Sequence, residues 1–215
     1  MTPALVIFDC DGVIVDSEPL TLNLLRDDLE LRGLSLEVSQ VTSLFVGGTI
    51  ASAGQRASEL GATIPEGWVP DMYARIYALL KRGVDVIPGV QHVMDMLDQA
   101  AIPYCVASNG RMAKMEITLG QHPELWARMQ GRMFSAEHVP APKPAPDLFL
   151  HAARTLGAAP AKCVVIEDSA TGARAARNAA MRCYGFAPHD TGAPLTAEGA
   201  QVFHDMHHLP ELLRL

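Results

Sequence analysis

Leu5-Val6-Ile7-Phe8-Asp9-Cys10-Asp11-Gly12 is the stretch on which the reading of the fold turns. Four apolar residues, two of them β-branched, run without alternation, the pattern of a strand buried on both faces inside a parallel sheet. The strand is expected to close on Asp9, with Asp11 after one intervening residue and Gly12 letting the backbone turn sharply. Carboxylates at the carboxyl end of a central strand stand where open α/β sheets bind ligands. Side by side they repel each other unless a cation is held between them. A solvated turn also uses Asp and Gly, so the pair takes its meaning from the rest of the chain. A calcium loop fails on spacing: its fifth position would be Val13 and its bidentate glutamate would fall on Leu20.

The 215 residues allow one full-sized domain with a modest insertion, and 49% apolar content supplies a substantial core. A net charge of −7 argues against a nucleic-acid binder, which needs a basic patch. No apolar run approaches the roughly 18 residues of a membrane span. With the first strand opening at Leu5, no targeting segment is expected. Cys10, Cys105, Cys163 and Cys183 all fall in apolar runs without CxxC spacing. They read as small buried hydrophobes in a reduced, cytoplasmic protein.

After Ser17 the period becomes helical. Leu22, Leu25 and Leu29 repeat at i, i+3 and i+7, with Asp27, Asp28, Glu30 and Arg32 assigned to other faces and Gly33 ending the helix. Further helical segments break at Gly47-Gly48 and near Pro65-Glu66-Gly67, and one is expected over about 70–82. The whole stretch 18–82 therefore reads as helical, an insertion hanging over the carboxyl edge of a sheet. From residue 85 onward strands and helices alternate. Strands are expected at 104–108, 133–135, 163–168, 183–186 and 201–203, separated by amphipathic helices. That alternation specifies a parallel sheet with helices on both faces. The domain division read from this is 1–17 with 83–215 for the α/β core, and 18–82 for a helical cap.

Three later strand ends carry polar residues. Ser108-Asn109-Gly110 closes one strand ahead of a helix, where a hydroxyl and free amides make a phosphate cradle. Lys143 lies among prolines at 140, 142, 144 and 146, which restrict the backbone and fix its place. Glu167-Asp168-Ser169 closes the most apolar strand, and its acids add to the charge beside Asp9 and Asp11. His204, His207 and His208 stand at i, i+3 and i+4 but are read as a solvated edge near the C-terminus.

These four stretches, in this order and at strand ends, resemble the four motifs of the haloacid dehalogenase superfamily. The helical insertion after the first motif looks like the cap of its β-phosphoglucomutase-like phosphatase branch. The C-terminal half is also similar to bacterial sugar-phosphate phosphatases. The resemblance implies a Rossmann-type core and a phosphatase acting on a small phosphorylated metabolite, a sugar phosphate. It implies Asp9 as the nucleophile and Asp11 as the general acid and base. Mg2+ would be held by Asp9, the backbone carbonyl of Asp11 and Asp168, with Glu167 acting directly or through water. Ser108 and Asn109 would hold phosphoryl oxygens, and Lys143 would balance their charge. A phosphomutase on the same machinery is the alternative. Mutases of this branch carry a basic residue near the positions occupied here by Pro19-Leu20-Thr21 and by Gly47-Gly48-Thr49-Ile50. A receiver-like signalling module is disfavoured by the length and by the helical insertion. Among Arg56, Arg75, Lys81 and Arg82, the sequence does not say which turns inward; Arg75 and Lys81 are the first candidates. Oligomeric state is not legible.

Overall fold

The computed structural model describes residues 2–215. Strands β1 (Leu5–Phe8), β2 (Tyr104–Ser108), β3 (Met133–Ser135), β4 (Cys163–Glu167), β5 (Arg182–Phe186) and β6 (Gln201–Phe203) form one sheet in the order β3-β2-β1-β4-β5-β6. Every pairing is parallel. The chain leaves β1 in one direction to β2 and returns across it to β4, so β1 lies at the switch point where such sheets open a crevice.

Burial explains why the strands read as uninterrupted apolar runs. Val6 and Phe8 pack into one cluster with Tyr104, Val106, Val164 and Ile166. Leu5 and Ile7 face the opposite layer with Cys105, Ala107, Cys163 and Val165. All four side chains of β1 are fully buried, and burying each stabilises the sheet by about 1.5–3 kcal/mol. The second layer is made by α8 (Asp147–Thr155) and α9 (Ala170–Asn178), whose alanines let the helices lie close to the strands. The four cysteines are buried free thiols, as their apolar settings suggested. Helices α5 (Val90–Gln99), α6 (Met112–Leu119) and α7 (Pro123–Met129) cover the first layer, and α10 (Ala193–Ala197) and α11 (Leu209–Leu213) flank the far strands. Between β2 and β3 the chain forms two helices, α6 and α7, divided around Gly120 and Pro123.

Between β1 and α5 lie α1 (Glu18–Leu31), α2 (Val38–Phe45), α3 (Ile50–Glu59) and α4 (Trp68–Leu80). They pack on one another, α1 against α2 and α4, and α3 against α2 and α4. The two chain segments that join this insertion to the sheet run side by side. The Asp16 N–H donates to the Asp85 carbonyl at 2.8 Å, and the Ile87 N–H to the Ile14 carbonyl at 2.9 Å. Gln121 and His122 brace the return segment: Gln121 Oε1 accepts from the Val84 N–H at 3.1 Å, and His122 Nε2 lies 2.8 Å from the Val84 carbonyl.

One expectation for α1 is corrected. Asp28, assigned to an outer face, is buried. Its carboxylate accepts from Trp68 Nε1 at 2.6 Å, from Arg32 Nε at 2.6 Å and from Arg75 Nη1 at 2.5 Å. Position 28 follows Leu25 by three residues and therefore lies on the apolar stripe; it is admitted there because three donors satisfy it.

Candidate active site

The regular pairing of β1 stops at Phe8, one residue earlier than expected, yet the Asp9 N–H still donates to the Ile166 carbonyl at 2.9 Å. That bond holds the Asp9 carboxyl at the sheet's edge. Gly12 then takes φ +73°, and a Cβ there would stand 1.9 Å from Asp168 Oδ2. Only glycine permits this turn, and it lets the carboxyl at the end of β4 pack against the loop leaving β1.

Lys143 is buried, with its ammonium 2.5 Å from Asp9 Oδ1 and 2.6 Å from Glu167 Oε1. Burial alone would lower its pKa, but the two carboxylates hold it above the ordinary lysine value. Burial pushes the Asp9 carboxyl up to about 8; Lys143 opposes the shift, and the Glu167 and Asp11 charges add to it. Asp168 is likewise pushed well above the carboxylate range by burial and by the Glu18, Glu167 and Asp9 charges. Glu167 has both oxygens engaged, since Oε2 accepts from the Ser169 N–H and hydroxyl at 3.1 and 2.9 Å. Ser169 in turn caps α9 through the Gly172 N–H at 3.0 Å. A Cβ at Gly172 would fall 1.8 Å from Glu167 Oε1, so the first turn of α9 rests directly on this carboxylate.

The Asn109 side chain is engaged on both sides. Its side-chain oxygen accepts from the Lys143 N–H at 2.9 Å, while its amide donates to the Lys143 carbonyl at 3.1 Å and to the Gly47 carbonyl at 3.0 Å. The side chain is therefore a clamp between the lysine loop and the helical insertion. What it can turn toward a phosphoryl oxygen is its backbone N–H. Ser108 lies buried at the end of β2, its oxygen accepting from the Gly110 N–H at 3.0 Å, which leaves the hydroxyl hydrogen to donate elsewhere.

Asp11 is partly open, with Oδ1 accepting from the Ser17 hydroxyl and from Lys114 Nζ at 2.8 Å. Lys114 is a site residue that the sequence reading missed. Its signal was faint: a single cation within the first turn of the helix that follows Ser108-Asn109-Gly110. Glu18 was missed too, because an acid in the first turn of a helix needs only a dipole explanation. Burial, then the Asp11 charge, raises the Glu18 carboxyl to about 7.

These groups surround a cavity of about 110 Å3 between the sheet edge and the insertion. Asp9, Asp11, Ser108, Asn109, Lys143, Glu167 and Asp168, all expected from the sequence, line it together. From the insertion come Leu22, Leu25, Phe45, Ile50, Tyr73 and Ile76, with Glu18, Thr21 and Thr49. Arg56, Arg75, Lys81 and Arg82 are not among the lining residues. Arg75 turns to Asp28 and Arg56 to Glu59, so neither of the first candidates, Arg75 and Lys81, forms part of the cavity wall.

The donors suit a hard divalent cation. Asp9 and Asp168 offer carboxylate oxygens whose mutual repulsion such a cation would relieve. Among the described residues no three metal-ligating side chains already stand together, and Glu167 is taken up by Lys143 and Ser169. The residues fit Mg2+ through Asp9, Asp168 and a main-chain carbonyl.

Comparison with known proteins agrees with this geometry. The family model for haloacid dehalogenase-like hydrolases matches residues 3–180. The 6-phosphogluconate phosphatase of Escherichia coli is 27% identical over 209 residues, covering 96% of this chain and 93% of its own. Hexitol phosphatase A of the same organism is 31% identical over 173 residues, covering 77% of this chain and 74% of its own. A conserved haloacid dehalogenase-like protein of unknown function from Agrobacterium tumefaciens has a solved structure with TM-score 0.83 and 30% identity, covering 98% of this chain and 97% of that one. A match over so much of the chain, on a parallel sheet whose strand ends carry Asp9, Ser108 and Asp168 and whose lysine loop brings Lys143 to them, shows that this chain belongs to the haloacid dehalogenase-like hydrolases.

Proposed function

We propose that this protein is a Mg2+-dependent phosphatase that hydrolyses a small phosphorylated metabolite of the sugar-phosphate kind through an aspartyl-phosphate. The observation that carries the reading is the convergence of Asp9, Asp11, Lys143 and Asp168 on one cavity at the carboxyl ends of β1 and β4. Its relatives include a phosphatase named for a carboxylated sugar phosphate and one named for a hexitol phosphate. Residues 18–82 act as a cap over a core of residues 1–17 and 83–215.

In this reading Asp9 attacks phosphorus and becomes the acyl phosphate, while Asp11 gives a proton to the departing alkoxide. A water molecule then attacks the phosphoenzyme, and Asp11 takes its proton, restoring both carboxyls. Lys143 opposes the burial that disfavours an ionised Asp9 and faces the phosphoryl oxygens. Ser108 donates its hydroxyl to one of them, and the Asn109 backbone N–H to another. Mg2+, when bound by Asp9, Asp168 and the Asp11 carbonyl, screens the carboxylate from the phosphate dianion and stabilises developing charge. Glu167 holds Lys143 in place and seats α9.

A generic aryl phosphate tests the reading. Turnover is expected to vanish with EDTA and return with Mg2+. Asp9→Asn forms no phosphoenzyme, and Asp11→Asn loses about 10²–10⁴-fold in rate. Full turnover in a metal-stripped sample, or near-normal turnover by Asp9→Asn, would refute it.

A further inference from the structure

The wall opposite the sheet edge has a definite chemical character. It is built from aliphatic and aromatic side chains, among them Leu22, Phe45, Ile50 and Tyr73, with the Thr21 and Thr49 hydroxyls. At its base, on the first turn of α1, stands the Glu18 carboxyl. The leaving group of a phosphate ester bound at Asp9 has to lie against this wall.

Charge around the cavity limits what that group can be. Five carboxyl groups (Asp9, Asp11, Glu18, Glu167 and Asp168) face two ammonium groups (Lys114 and Lys143). Both ammoniums are already engaged, Lys143 by Asp9 and Glu167, Lys114 by Asp11. No uncommitted cation is therefore left among the lining residues to receive a second anion. The arginines of the insertion are turned elsewhere, Arg32 and Arg75 to Asp28, Arg26 to Asp27 and Arg56 to Glu59. A second anionic group on the substrate would meet the Glu18 carboxylate and an apolar wall, with its desolvation uncompensated. Hydroxyl groups, by contrast, find an acceptor in Glu18 and a further lone pair on Thr21, whose own hydroxyl hydrogen goes to the Ser17 and Glu18 carbonyls.

We propose that the substrate is a phosphate monoester with an uncharged, hydroxylated leaving group, and that Glu18 sets this specificity by accepting hydroxyls and rejecting a second anion. The proposal rests on the phosphatase reading above and selects between the two chemical kinds of substrate that the relatives' names present.

Matched pairs that differ only in CH2OH against carboxylate test it: glucitol 6-phosphate against 6-phosphogluconate, and glycerol 3-phosphate against 3-phosphoglycerate. An aryl phosphate serves as the reference for the chemistry itself. Within the better-used pair, kcat/KM is expected to favour the alcohol by about tenfold or more. Glu18→Gln should shrink that ratio severalfold, chiefly through a lower KM for the carboxylated ester. Equal or better use of the carboxylated ester overturns the proposal, as does an unchanged ratio in Glu18→Gln. Turnover of the aryl ester with none of the four also overturns it, while leaving the phosphatase reading intact. No turnover of any ester refutes that reading instead.

Discussion

Asp28 is the single residue on which the helical insertion most visibly depends. Burial pushes its carboxyl up, but the hydrogen bonds from Arg32, Trp68 and Arg75 outweigh burial and hold it below the usual carboxylate range. A folded-state pKa below the unfolded value of about 3.9 stabilises the protein above that pH, and the contribution is lost as pH falls through the folded value. Asp28→Ala strands a buried indole N–H and two guanidinium groups, and should cost about 2–4 kcal/mol at neutral pH. In thermal melts the gap between variant and parent is expected to be full at pH 6–7 and to narrow below about pH 4. A gap that stays constant down to pH 3 would reject the ion-pair account. This residue was hard to read from the sequence because its justification lies elsewhere: the donors come from 4, 40 and 47 residues away. The same is true of Lys114 and Glu18, whose meaning comes only from facing Asp11 and the cavity. Asp9 and Asp11 were legible because a strand end explains them locally.

Among the elements, the strand ends were legible and the inner face of the insertion was not. Apolar runs without alternation announce buried strands, and a polar residue closing such a run stands out. Helical stripes give burial but not partners, so no periodicity distinguishes the helices' own packing from the cavity wall. The loop between α2 and α3 shows what was hidden. Its Gly47 carbonyl accepts from Asn109, which also grips both backbone polar groups of Lys143. The insertion and the buried lysine are thereby fastened through one amide. Asn109→Ala should release both. Amide exchange over residues 46–49 is expected to quicken by about fivefold, the equivalent of about 1 kcal/mol for one hydrogen bond. The rate on an aryl phosphate should fall alongside, because Lys143 loses its backbone anchor. Unchanged exchange in that loop would show that the contact carries no closing energy.

At the scale of the whole molecule, alternation of strand and helix sufficed to read the sheet and its parallel sense, while the switch at β1 emerges only from the strand order. It could not decide between hydrolysis and phosphoryl return, since both use the same sheet edge. A mutase has to grip a bisphosphorylated intermediate at both ends, which calls for a well-placed cation on the insertion. Thr21 and Ile50 line the cavity near where such residues would be sought, and the guanidinium groups of Arg56 and Arg75 point to Glu59 and Asp28. Incubation with β-glucose 1-phosphate and a bisphosphate primer is expected to give inorganic phosphate at most. Sustained glucose 6-phosphate formation faster than phosphate release would promote the mutase over the phosphatase.

The paired segments that carry the insertion have a mechanical consequence. Because Asp16 is tied to Asp85 and Ile14 to Ile87, the two connections form one short ribbon instead of two independent tethers. Bending such a ribbon gives a swing about a single axis, and twisting or sliding would break the bonds between its strands. With Gln121 and His122 bracing the post, the insertion moves like a door with one jamb. The Gly47 loop is fastened to Asn109, and α4 rests on α6 with the Arg111 guanidinium over the Tyr73 ring, so a swing on this hinge has to unfasten both latches before alcohol and phosphate can depart.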